Sequence, residues 1–190
     1  MKAKQFLKLT LCGAMAVSFV GCAGAKVKNE RVPLKNGTLT KADLILVKEI
    51  SADNAIFIGD KSADKDKVDE EKKRIRIELP EEIVQRLQKK GFNAKAFTGN
   101  SAANAIILEG SVGKVDHGSA AARAFVGMGS GSSNMVIDIK ITKAKVAIAD
   151  FQIVASSGGR GGWTSMGSFI KAHIVDAASR TADYLAKHAD

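Results

Sequence analysis

Two consecutive stretches of this chain alternate apolar and polar residues with a period of two. NMVIDIKI, residues 134–141, puts Ile137, Ile139 and Ile141 on one side and Asp138 and Lys140 on the other. KVAIADFQIVAS, residues 145–156, continues the pattern with Phe151 and Ile153. Successive side chains of an extended chain point to opposite faces, so the pattern calls for a sheet with one face buried and one face wet. Three further segments read as strands. ADLILVKEI (42–50) is a continuous aliphatic run between polar residues, FNAKAFT (92–98) is short, and NAIILEGSVGKVD (104–116) has an apolar centre at Ile106, Ile107 and Leu108.

A sheet with one apolar face needs a cover, and two segments supply it. In PEEIVQRLQKKG, Pro80 suits a first helical position, and Glu81 and Glu82 complement the positive end of the helix. Lys89 and Lys90 complement its negative end, Gly91 suits the left-handed residue that stops it, and Ile83, Val84 and Leu87 form its buried face. Upstream, RIRIEL reads either as a short strand or as an earlier turn of the same helix. DKSADKDKVDEEKKR (60–74) reads as a solvated loop or the approach to that helix. GSFIKAHIVDAASRTADYLAKH (167–188) is a long amphipathic helix, with Ser168 as N-cap and a stripe of Ile170, Ile174, Ala178, Ala182 and Leu185. Strands joined by short links imply antiparallel pairing. The expectation is a single α+β two-layer sandwich: a mainly antiparallel sheet of about four to five strands covered by two helices.

The start of the chain has a different character. MKAKQFLK carries Lys2, Lys4 and Lys8 and no acid, and LTLCGAMAVSFV (9–20) is almost wholly apolar. A basic start, a dozen apolar residues and then small residues make a secretory signal peptide, too short to remain as a membrane span. Phe19-Val20-Gly21-Cys22 resembles the lipobox of bacterial lipoproteins, in which the cysteine thiol takes a diacylglycerol and becomes the new N-terminus. Phe19 stands where that motif usually has an aliphatic residue. Cutting after Ala23-Gly24-Ala25 is the alternative, and it would release a soluble periplasmic chain. The expected organisation is a signal peptide at 1–21, a lipidated Cys22 with a flexible tether at 22–40, and the α+β domain at 41–190. Cys12 leaves with the signal and lipid consumes Cys22, so the mature chain offers no thiol for a disulfide, a nucleophile or a metal. Asp is absent at position 23, which by analogy with enteric sorting favours the outer membrane, facing the periplasm.

The formal charge of +9 falls to +6 once the three signal lysines are gone. Aromatics make up 5% of the chain and the lysines are interleaved with acids. Nucleic-acid binding asks for basic patches with stacking aromatics, so no nucleic-acid partner is expected.

ARAFVGMGSGSSNMVIDIKI (122–141) is the most distinctive stretch. Gly127, Gly129 and Gly131 suggest a phosphate cradle, but neither the Lys-Ser/Thr pair of a P-loop nor the spacing of a dinucleotide fingerprint accompanies them. Two readings stay open: a hairpin connection that uses glycine's conformational freedom, and a small-residue packing surface that includes Ala120, Ala121, Ala122, Phe125, Val126 and Met128. Gly110 after the aliphatic strand, with Arg123, Gly127, Gly129 and Gly131 leading into an alternating strand and the closing ADYLAKH helix, resembles DUF4410, a bacterial lipoprotein family of unknown function. The resemblance spans roughly residues 40–188. It implies an exported, lipid-anchored domain without an assigned activity. Members usually carry an Asp-x-x-Thr-Gly-like turn between the last two strands, whereas ITKAKVAIAD has no glycine, so this hairpin is expected to be shorter or differently shaped. The order of elements is also similar to that of the periplasmic domain of curli secretion-channel lipoproteins, which gives the glycine-rich stretch a role in oligomerisation.

No catalytic constellation emerges. Asp116 and His117 are neighbours on an extended chain and point apart, His173 reads as a core or boundary histidine, and no nucleophile-elbow pattern frames Ser156, Ser157 or Ser165. Glu109 within an aliphatic strand either faces solvent or has a partner. Arg160 and Trp163 could form a small recognition surface. The expectation is a non-enzymatic envelope module without metal or cofactor, held to the membrane by its lipid. Its partner is a protein or further copies of itself, through Arg123, Phe125, Gly127, Met128, Gly129, Gly131, Arg160 and Trp163. The alternatives are a ring-forming secretion lipoprotein and a nucleotide-binding or hydrolytic enzyme.

Overall fold

The structure is a computed structural model that describes residues 25–59, 62–99, 104–119, 132–156 and 166–190. Among the described residues, seven strands and two helices follow one another in the chain. They are β1 (Lys26–Val32), β2 (Leu44–Ser51), β3 (Ile56–Ile58), α1 (Lys65–Lys89), β4 (Asn93–Ala96), β5 (Ile106–Asp116), β6 (Asn134–Lys143), β7 (Val146–Ser156) and α2 (Met166–His188).

All seven strands form one open sheet in the order β1-β7-β6-β5-β2-β4, with β3 pairing β5 beyond the end of β2. The α+β class and its two helices stand, but the sheet is larger than expected and mixed. β1–β7, β5–β6 and β6–β7 are antiparallel, whereas β2–β4, β2–β5 and β3–β5 are parallel. The short link between β4 and β5 does not make a hairpin, because the two strands flank β2 on opposite sides.

Both helices lie on the same face. The alternating residues meet them as anticipated: Ile137, Ile139 and Ile141 of β6 and Phe151 and Ile153 of β7 are buried, with Ile45, Val47, Ile106 and Leu108 continuing the layer across β2 and β5. α2 contributes Ile170, Ile174, Ala178, Ala182 and Leu185 to this core. Each fully buried aliphatic side chain stabilises the fold by about 1.5–3 kcal/mol, so this layer dominates the energetics. No described helix is long and apolar enough to cross a membrane.

α1 begins earlier than expected. Asp64 caps it by accepting from the Lys67 N–H, and the helix runs through RIRIEL and past Pro80, which lies in its interior. Ile75, Leu79, Ile83 and Leu87 repeat every four residues on one buried stripe, and that stripe outweighs the backbone bond that Pro80 cannot donate. Gly91 ends the segment at φ +87°, in the left-handed conformation anticipated for it. Ser168 lies inside α2 and is therefore not its N-cap.

Residues 26–40 are not a loose tether. β1 pairs β7 along the sheet edge, and Leu34 and Leu39 are buried in the core. The Leu34 N–H donates to Tyr184 Oη at 3.0 Å, and the Tyr184 ring packs on Phe151 with centroids 4.3 Å apart. The strand escaped notice because KVKNERV is polar at most positions and, as an edge, stays wet over most of its surface.

Candidate functional site

The face of the sheet opposite the helices has no described element over it. Across its centre lies an open cleft of about 390 Å³ lined by Arg31, Lys48, Glu109, Asp138, Lys140 and Asp150, among others. The register explains this gathering: Glu109 is opposite Lys140, Lys140 is opposite Asp150, and Ser111, Asp138 and Gln152 form the next row. These are the wet positions of the alternating strands.

Arg31 is the hub. Its Nε donates to Asp150 at 2.8 Å and its Nη2 to Asp138 at 2.9 Å, so one guanidinium joins β1, β6 and β7. A bulge between Lys28 and Val32 positions it, with Asn29 at φ +48° and its side chain donating to Gln152 at 3.0 Å. Bulges re-aim side chains at a sheet edge in this way. The two carboxylates hold the Arg31 guanidinium firmly protonated. On the other side of the cleft, Lys48 Nζ donates to Glu109 at 2.9 Å and lies 5.6 Å from the centre of the Phe97 ring. Glu109 therefore has a partner. The arrangement is a lattice of alternating charges, suited to binding a surface of complementary charge.

A second cluster sits at the end of the sheet where β5 finishes and β6 begins. His173 of α2 is buried, its Nε2 3.0 Å from Ser133 Oγ, and its Nδ1 meets no hydrogen-bond partner among the described residues. Burial, reinforced by the nearby His117, pushes the His173 pKa down to about 4, so the ring is neutral. His117 Nε2 lies 3.2 Å from Glu71 Oε2, an ion pair whenever His117 is protonated, although the alignment falls short of a hydrogen bond. Ser133 and His173 have the separation of a nucleophile and its base. Both are 1% exposed, however, and no carboxylate among the described residues orients Nδ1, so the pair as it stands presents no surface to a substrate. Among the described residues, no three of His, Cys, Asp and Glu converge as a metal set.

The residues singled out from the sequence fall elsewhere. Cys22, Arg123, Phe125, Gly127, Met128, Gly129, Gly131, Arg160 and Trp163 all lie outside the described residues. Sequence reasoning missed Arg31, because nothing in KVKNERV distinguishes it from its neighbours. Asp138 and Asp150 were legible only as solvent-side residues, and their mid-strand positions on adjacent strands were the available signal.

Known proteins fix the fold and the family. A PelC dodecamer from Paraburkholderia phytofirmans, in a single-substitution form, is similar at 11% identity with a TM-score of 0.50, covering 82% of this chain and 95% of that one. A second PelC dodecamer from the same organism has 11% identity and a TM-score of 0.49, covering 87% and 99%. A DUF330 protein from Xanthomonas campestris has 11% identity and a TM-score of 0.45, covering 83% and 89%. At this identity the first of these likenesses, with its TM-score of 0.50, speaks to the fold alone. No curated protein matches the chain. Residues 32–181 match one family throughout, and the chain belongs to it: the domain of unknown function DUF4410.

Proposed function

We propose that this protein is a lipid-anchored module of the bacterial cell envelope, held at the outer membrane through Cys22 and facing the periplasm, that assembles with further copies of itself and catalyses no reaction. The observation that carries the reading is the sheet face that no described element covers, where Arg31, Asp138, Asp150, Lys48 and Glu109 form a charge lattice across five strands. A surface of alternating charge favours a particular register of a complementary surface and penalises wrong ones. The PelC structure with a TM-score of 0.50 to this chain is a dodecamer, which supports self-assembly here. Closed rings require head-to-tail contacts between different surfaces of the same chain, and an open sheet with a charged face and two unlike edges supplies such surfaces.

The test is the mass of the mature protein in detergent by native mass spectrometry, beside Arg31→Glu. The expected result is one defined multi-subunit species that Arg31→Glu converts to monomer, with no turnover or thermal shift in a nucleotide and metal screen. A wild-type monomer at all concentrations would overturn the assembly reading. A ligand from the screen that is turned over would overturn the non-enzymatic one.

A further inference from the structure

The fold has two rims, defined by the strand directions. Lys26 pairs with Val154, Asn134 with both Asp116 and Ser156, and Ile58 with Asp116. The start of β1, the ends of β3, β5 and β7 and the start of β6 therefore share one rim. The β6–β7 hairpin, with Val146 at its tip, marks the opposite rim.

The chain joins the fold at the first of these. Ala25 is buried, and its carbonyl accepts from Arg180 Nε at 2.7 Å, so the chain is tied to the fold at this point. From Cys22 to Ala25 is three residues, which reach at most about 11 Å when fully extended. A lipid on Cys22 cannot hold this domain at a distance. The same rim carries exposed apolar side chains at its far corner: Ile56 is 64% exposed and Ile58 36% exposed on β3. β3 is four strand spacings from β1, about 19 Å. An anchor at one corner and an apolar pair at the other make a two-point contact.

We infer that the rim bearing Ala25, Ile56 and Ile58 lies against the lipid bilayer, with Ile56 and Ile58 at the interface and the β6–β7 hairpin pointing away. The inference rests on the lipid-anchor reading and adds an orientation to it. The short leash brings the rim within reach of the headgroups, and exposed isoleucines gain free energy on leaving water there.

Signal cleavage removes Cys12 and acylation occupies Cys22, so an introduced cysteine is the one free thiol of the mature protein. Lys26→Cys, Ile56→Cys and Val146→Cys, each carrying a fluorophore, are reconstituted as lipidated protein into phosphatidylcholine vesicles with bromine-labelled acyl chains. Quenching is expected at positions 26 and 56 and not at 146. Quenching at 26 alone would overturn the orientation and leave the anchor standing. Quenching at 146 in place of 56 would reverse it. The intact mass of each sample reports the anchor independently: an unacylated Cys22, or a chain beginning at Lys26, overturns the anchor reading and the orientation with it.

Discussion

Arg180 on α2 reaches back across 155 residues of chain to donate a 2.7 Å hydrogen bond to the carbonyl of Ala25. The bond fastens Ala25 to α2, and β1 then continues along the sheet edge through its pairing with β7. An edge strand with so few apolar residues gains little from burial, so this tie and the Arg31 ion pairs carry much of its attachment.

Arg180→Ala therefore loosens one end of β1 without touching the core. Amide hydrogen exchange is expected to quicken at residues 26–28, while the central pairing of β6 and β7 keeps its protection. Unchanged exchange at 26–28 would mean that the strand pairing suffices by itself.

His173 makes the fold sensitive to acid. Its folded pKa of about 4 lies below the unfolded value of 6.5, so the folded protein takes up its proton later than the unfolded chain. The stability it contributes is fully present above pH 6.5 and is lost as the pH falls toward 4, by up to about 3 kcal/mol. His173→Gln keeps a polar group near Ser133 and removes the titration. Thermal unfolding between pH 7 and 4.5 should show a smaller decline in Tm for the variant than for the wild type. Parallel declines would place the acid sensitivity elsewhere.

Gly110, one of the residues on which the family resemblance rests, has a steric reason to be glycine. A Cβ there would come 2.6 Å from the Asp138 carbonyl oxygen and 3.1 Å from Ile139 Cδ1. The close neighbour is the backbone of the paired strand, which cannot rotate aside. Gly110→Ala should destabilise the protein by about 2–3 kcal/mol, read as a shift of the urea midpoint. It should also disturb the cleft, because Asp138 is the residue displaced. Gly113, by contrast, would place its Cβ 3.8 Å from Asp138 Oδ2, an ordinary contact, and Gly113→Ala serves as the mild control.

What could be read from the sequence follows from where the residues sit. β6, β7 and α2 were legible because one side of each faces the core and the other faces water or a thinner layer, so burial wrote a period into them. β1 carries no such period. The mixed pairing was hidden for another reason: a parallel and an antiparallel neighbour ask for the same alternation, so β2 and β5 look alike whichever way they run. Pro80 misled because a proline is a local signal, whereas the stripe from Ile75 to Leu87 spans more than three turns and decides the helix. The cleft was half legible. Glu109 stood out as an acid in an aliphatic strand, but its partner Lys48 lies 61 residues away and only the parallel β2–β5 register brings them together.

The β6–β7 hairpin, which has no glycine, closes in two residues. Lys143 pairs with Val146, and Ala144 and Lys145 both adopt positive φ, at +50° and +67°. Two-residue hairpins favour this left-handed pair of conformations because it matches the twist of the strands, and Asn-Gly satisfies it with least strain. Neither alanine nor lysine does, and each left-handed non-glycine residue costs about 1–2 kcal/mol. Replacing both residues, Ala144→Asn with Lys145→Gly, should raise the stability by about 1–2 kcal/mol after allowing for the greater freedom of glycine in the unfolded chain. The measurement is the urea midpoint of the double variant at unchanged m-value. A lower midpoint would show that the Lys145 side chain contributes more than the turn strain removes. Because the hairpin lies at the rim away from Ala25, the gain should leave the exchange protection of β1 as it is.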